Sequence, residues 1–288
     1  MGTNMTRRGA AIARAHPHTT EPEWVRSLLI AVALGFLLLF LVLPLFLVFT
    51  KAFEGGAEAW ASAVIDPVAW ASIRLTLLVT AIVLPINVVF GIAAAWAIAR
   101  FRFRGRNLIL TLIDLPFSVS PVVSGMVFVL MFGGTGWFGP WLQDHGIRIV
   151  FAVPGIVLAT LFVTAPFVAR ELVPSFEGQG VVEEEAAMTL GASGWRTFVS
   201  ISLPKVRWAL MYGIVLCTAR AIGEFGAVSV VSGHIRGQTT TVPLHVEMLY
   251  NEYQFTAAFA VASVLAVLAL VTLLLKYIIE RRAVQGHR

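Results

Sequence analysis

Long apolar segments separated by charged connections are the feature that most limits the folds open to this chain. The first segment, residues 27–50, contains no charged side chain, and further segments follow at 73–99, 108–131, 150–169, 208–232 and 256–279. Each is long enough to cross a hydrocarbon core about 30 Å thick as a helix. A helix also satisfies its own backbone hydrogen bonds, as lipid requires. The sequence therefore predicts an all-α membrane protein, a polytopic helical bundle of about six transmembrane helices.

The composition agrees with this class and argues against others. Hydrophobic residues make up 58% of the chain and charged residues only 13%, whereas soluble domains carry about 25% charged residues. The single cysteine, Cys217, excludes an intramolecular disulfide, and the six histidines show no metal-ligand spacing. The net charge of +5 comes from basic residues in short flanks rather than in one stripe. We therefore expect no metal site and no nucleic-acid binding.

The N-terminal region divides into a polar tail and a first span. Residues 1–26 are polar and basic, and they are predicted to form a cytoplasmic tail. The run at 27–50 is too long for the core of a cleavable signal peptide and lacks a convincing cleavage site, so we interpret it as a retained transmembrane helix.

Prolines are expected to interrupt two of the later segments. Pro116 and Pro121 should break the segment at 108–131, and a broken helix must be shielded inside a bundle. Pro85 and Asn87 are expected to interrupt the segment before it in the same way.

Basic residues predict the orientation of the bundle. Most of the 21 Lys and Arg residues lie in the N-terminal tail, the 100–106 turn, the connection between the fourth and fifth segments, and the C-terminal end. Cytoplasmic connections carry such an excess. Both termini and the long fourth connection are therefore predicted to be cytoplasmic, which an even number of spans permits.

That fourth connection, residues 175–205, has a helix-break-helix pattern. Glu183 to Glu185 place negative charge in the first turn of a helix, where the helix dipole favours it. Gly191 can end this helix in a left-handed conformation. Ser193 is the expected N-cap of a second helix that runs to about residue 200, and Pro204 closes the unit. Taken alone, the pattern also fits an ordinary surface helix hairpin.

The spacing E-A-A-x3-G-x9-I-x-L-P resembles the cytoplasmic coupling loop of ABC importer permeases. The residues on the pattern are Glu185, Ala186, Ala187, Gly191, Ile201, Leu203 and Pro204. In that family the loop docks on an ATPase subunit and carries its closure into the membrane. The chain has no G-x-x-x-x-G-K-[ST] sequence. The resemblance thus implies a non-catalytic permease that binds no cofactor itself, with ATP and Mg at a partner ATPase.

Arg220 and Glu224 are the sharpest polar feature within the predicted spans. Their i, i+4 spacing lets them pair on one helix face. A charged residue at mid-membrane should face the bundle interior or a water path. Two interpretations stay open: Arg220 supplies positive potential to an anion path while Glu224 holds it, or the pair is a structural clamp between helices.

Hydroxyl groups near the broken and polar segments are candidates for the same path. Hydroxyls and backbone amides can host a desolvated oxyanion, although serines in membrane helices more often bond their own backbone or pack at interfaces. The candidate residues are Ser118, Ser120, Ser229 and Ser232.

Three stretches resemble one particular group of permeases within that family. Residues 114–123, 167–174 and 220–233 are similar to sulfate/thiosulfate permeases of the W type, within a likeness that runs from about residue 70 to 280. This implies a bacterial inner-membrane importer built with a sister permease, two ATPase copies and an extracytoplasmic sulfate-binding protein. The R-x-x-x-E-F-G pattern is also similar to molybdate and tungstate permeases, so another oxyanion remains an alternative.

Two alternatives of another class stay open. A self-powered secondary carrier would need a coupling-ion site and would have no use for a docking loop. An intramembrane enzyme would need a polar constellation beyond Asp114, Arg220 and Glu224. Two outer connections, 51–72 and 233–255, are long enough to meet an extracytoplasmic partner, and Pro243 suits the first turn of a short helix in the second.

Overall fold

The computed structural model describes residues 22–285, and the regular elements within that range are all helices. Most of the predicted tail, residues 1–26, lies outside the described residues. The helices are α1 Glu23–Ala52, α2 Gly56–Ile65, α3 Pro67–Arg100, α4 Arg106–Ser118, α5 Pro121–Phe132, α6 Gly139–Asp144, α7 Val153–Gly178, α8 Val182–Thr189, α9 Gly194–Lys205, α10 Arg207–Ile222, α11 Gly226–Val231, α12 Val242–Asn251 and α13 Phe255–Gln285.

The chain divides into two packing units. The first ends at Phe46 and the second begins at Leu47. The first predicted segment, 27–50, lies wholly within α1, which contains one π-helical turn at Leu38–Val42. The second unit holds α2 to α13 and all the candidate site residues.

The helices fit the predicted membrane bundle. Of the described residues, four helices are long and apolar enough to cross a membrane unbroken: α1, α3, α7, and α13 as far as Ile279. Two bent pairs raise the number to six if each counts as one span. These pairs are α4 with α5, bent by 105°, and α9 with α10, bent by 71°.

The expected interruption of the second span at Pro85 and Asn87 is wrong. Helix α3 runs unbroken for 34 residues with both positions inside it. The amide of Asn87 is buried and donates to the Thr164 hydroxyl of α7 at 2.7 Å. Neighbouring helices in a bundle can satisfy the groups that a proline frees, so the helix need not break.

The third span is broken as predicted, but only one of the two prolines lies at the break. Pro116 sits inside α4, which continues to Ser118. Pro121 begins α5, a position where the missing N–H costs nothing. The chain therefore turns between Ser118 and Pro121.

The fifth predicted span, 208–232, is not continuous. Helix α10 ends at Ile222 and the short helix α11 begins at Gly226. The Glu224 side chain accepts a hydrogen bond from the Ala227 N–H at 2.9 Å and so caps α11. Apolar composition alone does not reveal this break, because the residues on both sides are equally apolar.

Two other spans extend beyond their predicted ends. Helix α7 runs on to Gly178, past the predicted end at residue 169, and α13 runs on to Gln285. Both helices are longer than their apolar segments and continue into the polar residues that follow.

Helices α3 and α7 pack closely at the centre of the second unit. A Cβ added at Gly91 would lie 2.6 Å from Val168 Cγ1 and 2.9 Å from the Ala169 backbone nitrogen. Val168 and Ala169 are fully buried. Glycine at this position therefore permits an approach that no other residue allows.

We expect Gly91→Ala to lower the free energy of unfolding by about 1–3 kcal/mol, the usual cost of overpacking. Thermal unfolding of the detergent-solubilised protein measures this change. Gly178→Ala is the matched control, since a Cβ there meets nothing within 4 Å. Equal stability of the two variants would show that the helices can separate at no cost.

Candidate functional site

The connection between α7 and α10 forms the predicted helix-break-helix unit, here called the coupling region (residues 175–205). Helix α8 ends at Thr189, and Gly191 has a φ of 89°, as expected for a glycine that ends a helix. Ser193 caps α9 and accepts a hydrogen bond from the Arg196 N–H at 3.4 Å. Helix α9 runs to Lys205, beyond the predicted end, through a π-helical turn at Phe198–Ser202.

The structure brings the pattern residues into this unit on different surfaces. Glu185, Ala186, Gly191 and Pro204 are exposed, whereas Ala187, Ile201 and Leu203 are half-buried. Leu203 packs against the core cluster that contains Phe176 and Phe198. Glu185, Ala186 and Gly191 thus face outward, and Leu203 holds the unit to the bundle.

Large apolar side chains remain exposed around the break between α8 and α9. Leu190 is 89% exposed, Trp195 76% and Met188 50%. We call these three residues the coupling face. In a charged connection outside the apolar segments, several large exposed apolar side chains close together in the chain are typical of a protein–protein contact.

Aromatic packing anchors the other side of α9. Phe198 is 9% exposed, and its ring centroid lies 4.8 Å from that of Trp96 on α3. The side chain of Gln179 donates to the Lys205 carbonyl at 3.0 Å, which joins the two ends of the coupling region. The unit is therefore fixed to the bundle rather than hanging as a free loop.

Sequence reasoning missed three residues of this anchor. Glu184 is buried and pairs with Arg100 at the end of α3, and Ser202 donates to the same carboxylate. In the sequence Glu184 belongs to a run of three acidic residues, and Arg100 to a basic turn. No spacing signal connects them, because they are 84 residues apart.

Arg220 and Glu224 do form an ion pair, but not on one continuous helix. Arg220 Nη1 lies 2.6 Å from Glu224 Oε2, a charge contact rather than a well-directed hydrogen bond. The Glu224 side chain is 1% exposed and that of Arg220 31%. The carboxylate is the buried partner, which caps α11 and holds the arginine, and the guanidinium keeps part of its surface open.

The breaks in the third and fifth spans meet each other. A Cβ on Gly226, the first residue of α11, would lie 3.0 Å from the Pro121 Cβ at the start of α5. One on Gly125 would lie 2.7 Å from the Ala227 carbonyl oxygen. The two interrupted spans therefore shield each other's ends.

The four candidate serines divide into two kinds. Ser118 and Ser120 are exposed on either side of the break between α4 and α5. Ser229 donates to the Gly226 carbonyl at 2.8 Å, and Ser232 is buried and accepts from the His234 N–H. Ser229 in α11 and Ser232 just after it thus bond to nearby backbone, whereas Ser118 and Ser120 are exposed.

The connections 51–72 and 233–255, which the sequence predicts to be outer, line one shared cavity of about 500 Å³. Ser62 and Asp66 come from the first connection, and Arg236, His245 and Glu252 from the second. Burial lowers the pKa of His245; the Asp66 carboxylate opposes this effect and Arg236 adds to it. The predicted short helix with Pro243 is present as α12.

Comparison with known proteins now identifies the architecture. The model of the family described as "binding-protein-dependent transport system inner membrane component" matches residues 87–285. The chain belongs to this family. The permease also matches a solved bacterial ABC transporter for the import of alginate, with a TM-score of 0.76 at 18% identity over 90% of this chain and 96% of that one. That likeness shows the fold.

Relatives with higher identity cover nearly the whole permease. The sulfate transport system permease protein CysW of Synechocystis is 51% identical over 91% of this chain and 95% of its own length. CysW of Escherichia coli K12 is 48% identical over 90% of this chain and 89% of its own. CysT of the same organism is 36% identical over 86% of this chain and 89% of its own.

The asymmetric burial of the ion pair predicts unequal effects of removing its partners. Arg220→Gln leaves a buried carboxylate without a counter-charge, and we expect it to lower the free energy of unfolding by about 3–5 kcal/mol. Glu224→Gln keeps an acceptor for the Ala227 N–H and leaves a partly exposed arginine, so its effect should be smaller. Thermal unfolding in detergent provides the comparison.

The double variant Arg220→Gln with Glu224→Gln is the control, since it removes both charges together. It should regain most of the stability lost in Arg220→Gln. An Arg220→Gln protein as stable as the wild type would contradict the importance of the pair.

Proposed function

We propose that this permease is a subunit of an ATP-driven sulfate importer in the bacterial inner membrane and forms the translocation path with a sister permease. The observation that carries the proposal is the likeness, along almost the whole chain, to proteins named sulfate permeases. Thiosulfate is a second substrate under this proposal. Molybdate or tungstate would need another binding protein and is the alternative within the same class.

The coupling face supports the proposal that a partner ATPase drives transport. Burying its exposed leucine and tryptophan against a partner would stabilise the complex by roughly 25 cal/mol per Å² of apolar area. A groove on an ATPase subunit is the expected partner, and that subunit would hold ATP and Mg²⁺. The permease itself would catalyse no reaction. Under this proposal the coupling region and both termini lie in the cytoplasm.

Alternating access is the mechanism that this arrangement favours. Closure of two ATPase subunits on ATP would draw the two coupling regions together. The attached helices would then rock, the cavity would open outward, and a binding protein would deliver the anion. Hydrolysis would return the permease to the inward-open state.

The ion pair supports an anion path with a fixed positive group. Arg220 keeps about a third of its side-chain surface open while Glu224 is fully buried, so the guanidinium has donors left for an oxyanion. The exposed hydroxyls of Ser118 and Ser120 are further candidate contacts. A purely structural clamp would explain why Glu224 is buried. It would not explain why part of the Arg220 side chain stays exposed.

Uptake of labelled sulfate tests the proposal. Cells that lack this subunit should regain uptake when it is restored, and vesicles should require both ATP and the ATPase subunit. Competition with unlabelled thiosulfate and molybdate ranks the substrates. ATP-independent uptake would favour a secondary carrier and overturn the proposal.

The coupling face yields a direct prediction for ATPase binding. Leu190→Glu or Trp195→Glu places a charge in an apolar contact, and we expect co-purification of the ATPase subunit and sulfate uptake to fall at least about tenfold. Trp137→Glu is the matched control, because Trp137 is 85% exposed in an outer connection. It should bind the ATPase normally, and normal binding by the Leu190 and Trp195 variants would place the contact elsewhere.

The shared outer cavity is the proposed docking place for the extracytoplasmic binding protein. Both outer connections meet there, and its rim carries charges of both signs. We expect photocrosslinkers at Ser62→Cys and Glu252→Cys to capture the binding protein, while one at Ser193→Cys in the coupling region should not. Mass spectrometry identifies the captured protein, and capture from Ser193 alone would reverse the proposed orientation.

A further inference from the structure

Arg100 and Glu184 form a buried ion pair with several hydrogen bonds in the second unit. Arg100 Nε donates to Glu184 Oε2 and Nη2 donates to Oε1, both at 2.8 Å. Ser202 adds a third donor to the same carboxylate at 2.8 Å. The side chains of Arg100 and Glu184 are only 8% and 10% exposed. Two parallel bonds of this kind fix direction as well as distance.

The remaining donors of Arg100 reach the end of α7. Its Nη1 donates to the Phe176 carbonyl and its Nη2 to the Gly180 carbonyl, each at 2.9 Å. These carbonyls belong to the last turn of α7 and the connection after it. One guanidinium therefore joins the last residue of α3, the end of α7, and α8.

Both sides of the coupling region converge on Glu184. The carboxylate belongs to α8, and the Ser202 hydroxyl comes from the π-helical turn of α9. A displacement of α8 or α9 would have to carry α3 and α7 along or break buried, charge-assisted bonds. The packing of Phe198 against Trp96 also joins α9 to α3. It does not fix the direction of the contact in the way that the paired hydrogen bonds do.

We infer that Arg100 and Glu184 are positioning residues that make the coupling region move as one body with α3 and α7. Neither side chain belongs to the coupling face, so we expect the pair to contribute nothing to ATPase binding. It acts in the step that follows binding. Its loss should leave ATPase binding and hydrolysis in place but disconnect them from transport. This inference rests on the proposed function of an ATP-driven importer.

The test measures anion transported per ATP hydrolysed in the reconstituted transporter. Glu184→Gln keeps the shape and the acceptor oxygen but removes the charge, and we expect the ratio to fall roughly 2- to 30-fold with ATPase binding unchanged. Glu177→Gln is the matched control, since Glu177 pairs with Arg106 nearby and the two side chains are 44% and 39% exposed. The control should keep the wild-type ratio.

A covalent replacement separates a mechanical link from a folding defect. Arg100→Cys with Glu184→Cys, in a Cys217→Ser background, can be joined by a reducible bis-methanethiosulfonate spacer. The joined protein should regain coupling, and reduction should remove it again. The same treatment of either single cysteine variant should change nothing.

Each result decides the inference. A wild-type ratio in Glu184→Gln overturns it, as does loss of ATPase binding in that variant, which would make Glu184 part of the docking surface. If Glu184→Gln fails to assemble, the spacer experiment decides, and a joined protein that stays uncoupled overturns the inference. An unmodified transporter without ATP-dependent uptake would instead count against the proposed function.

Discussion

The absence of water from the membrane core is the constraint on which the rest of this structure depends. Polar groups and broken helix ends must find partners within the protein, since lipid offers none. The chain meets this requirement locally at Asn87, whose amide bonds to Thr164. It meets it over a larger area where α5 and α11 shield each other's first turns. The interrupted spans are possible only because they lie together.

Charged groups follow the same requirement with different outcomes. Glu224 is buried, accepts a hydrogen bond from the Ala227 N–H and lies in charge contact with Arg220, which keeps an open surface. At the other polar centre, both Arg100 and Glu184 are buried, and the carboxylate receives three donors. The first arrangement leaves part of the arginine side chain exposed. In the second both side chains are buried, which suits it to holding helices in place.

Patterns that depend on neighbours in the chain were predictable from the sequence. Apolar runs gave the membrane bundle, and Gly191 and Ser193 gave the break and the cap of the coupling region. The continuity of α3 through Pro85 was not predictable, because it depends on a partner in α7. The break at Glu224 was hidden for a related reason: its i, i+4 distance from Arg220 fits a continuous helix equally well. The contact of Arg100 with Glu184 joins residues far apart in the chain and leaves no local signal.

The π-helical turn at Phe198–Ser202 contains one residue more than an α-helical turn in the same place would need. Deleting one residue from it would leave an ordinary α-helical turn, and Leu203 would keep its place against the core. An added residue has no such outlet, because each residue of a helix turns the chain by about 100°, and an insertion would rotate Leu203 away from the core. The interval between Gly191 and Ile201 is therefore open to shortening within this turn but not to lengthening.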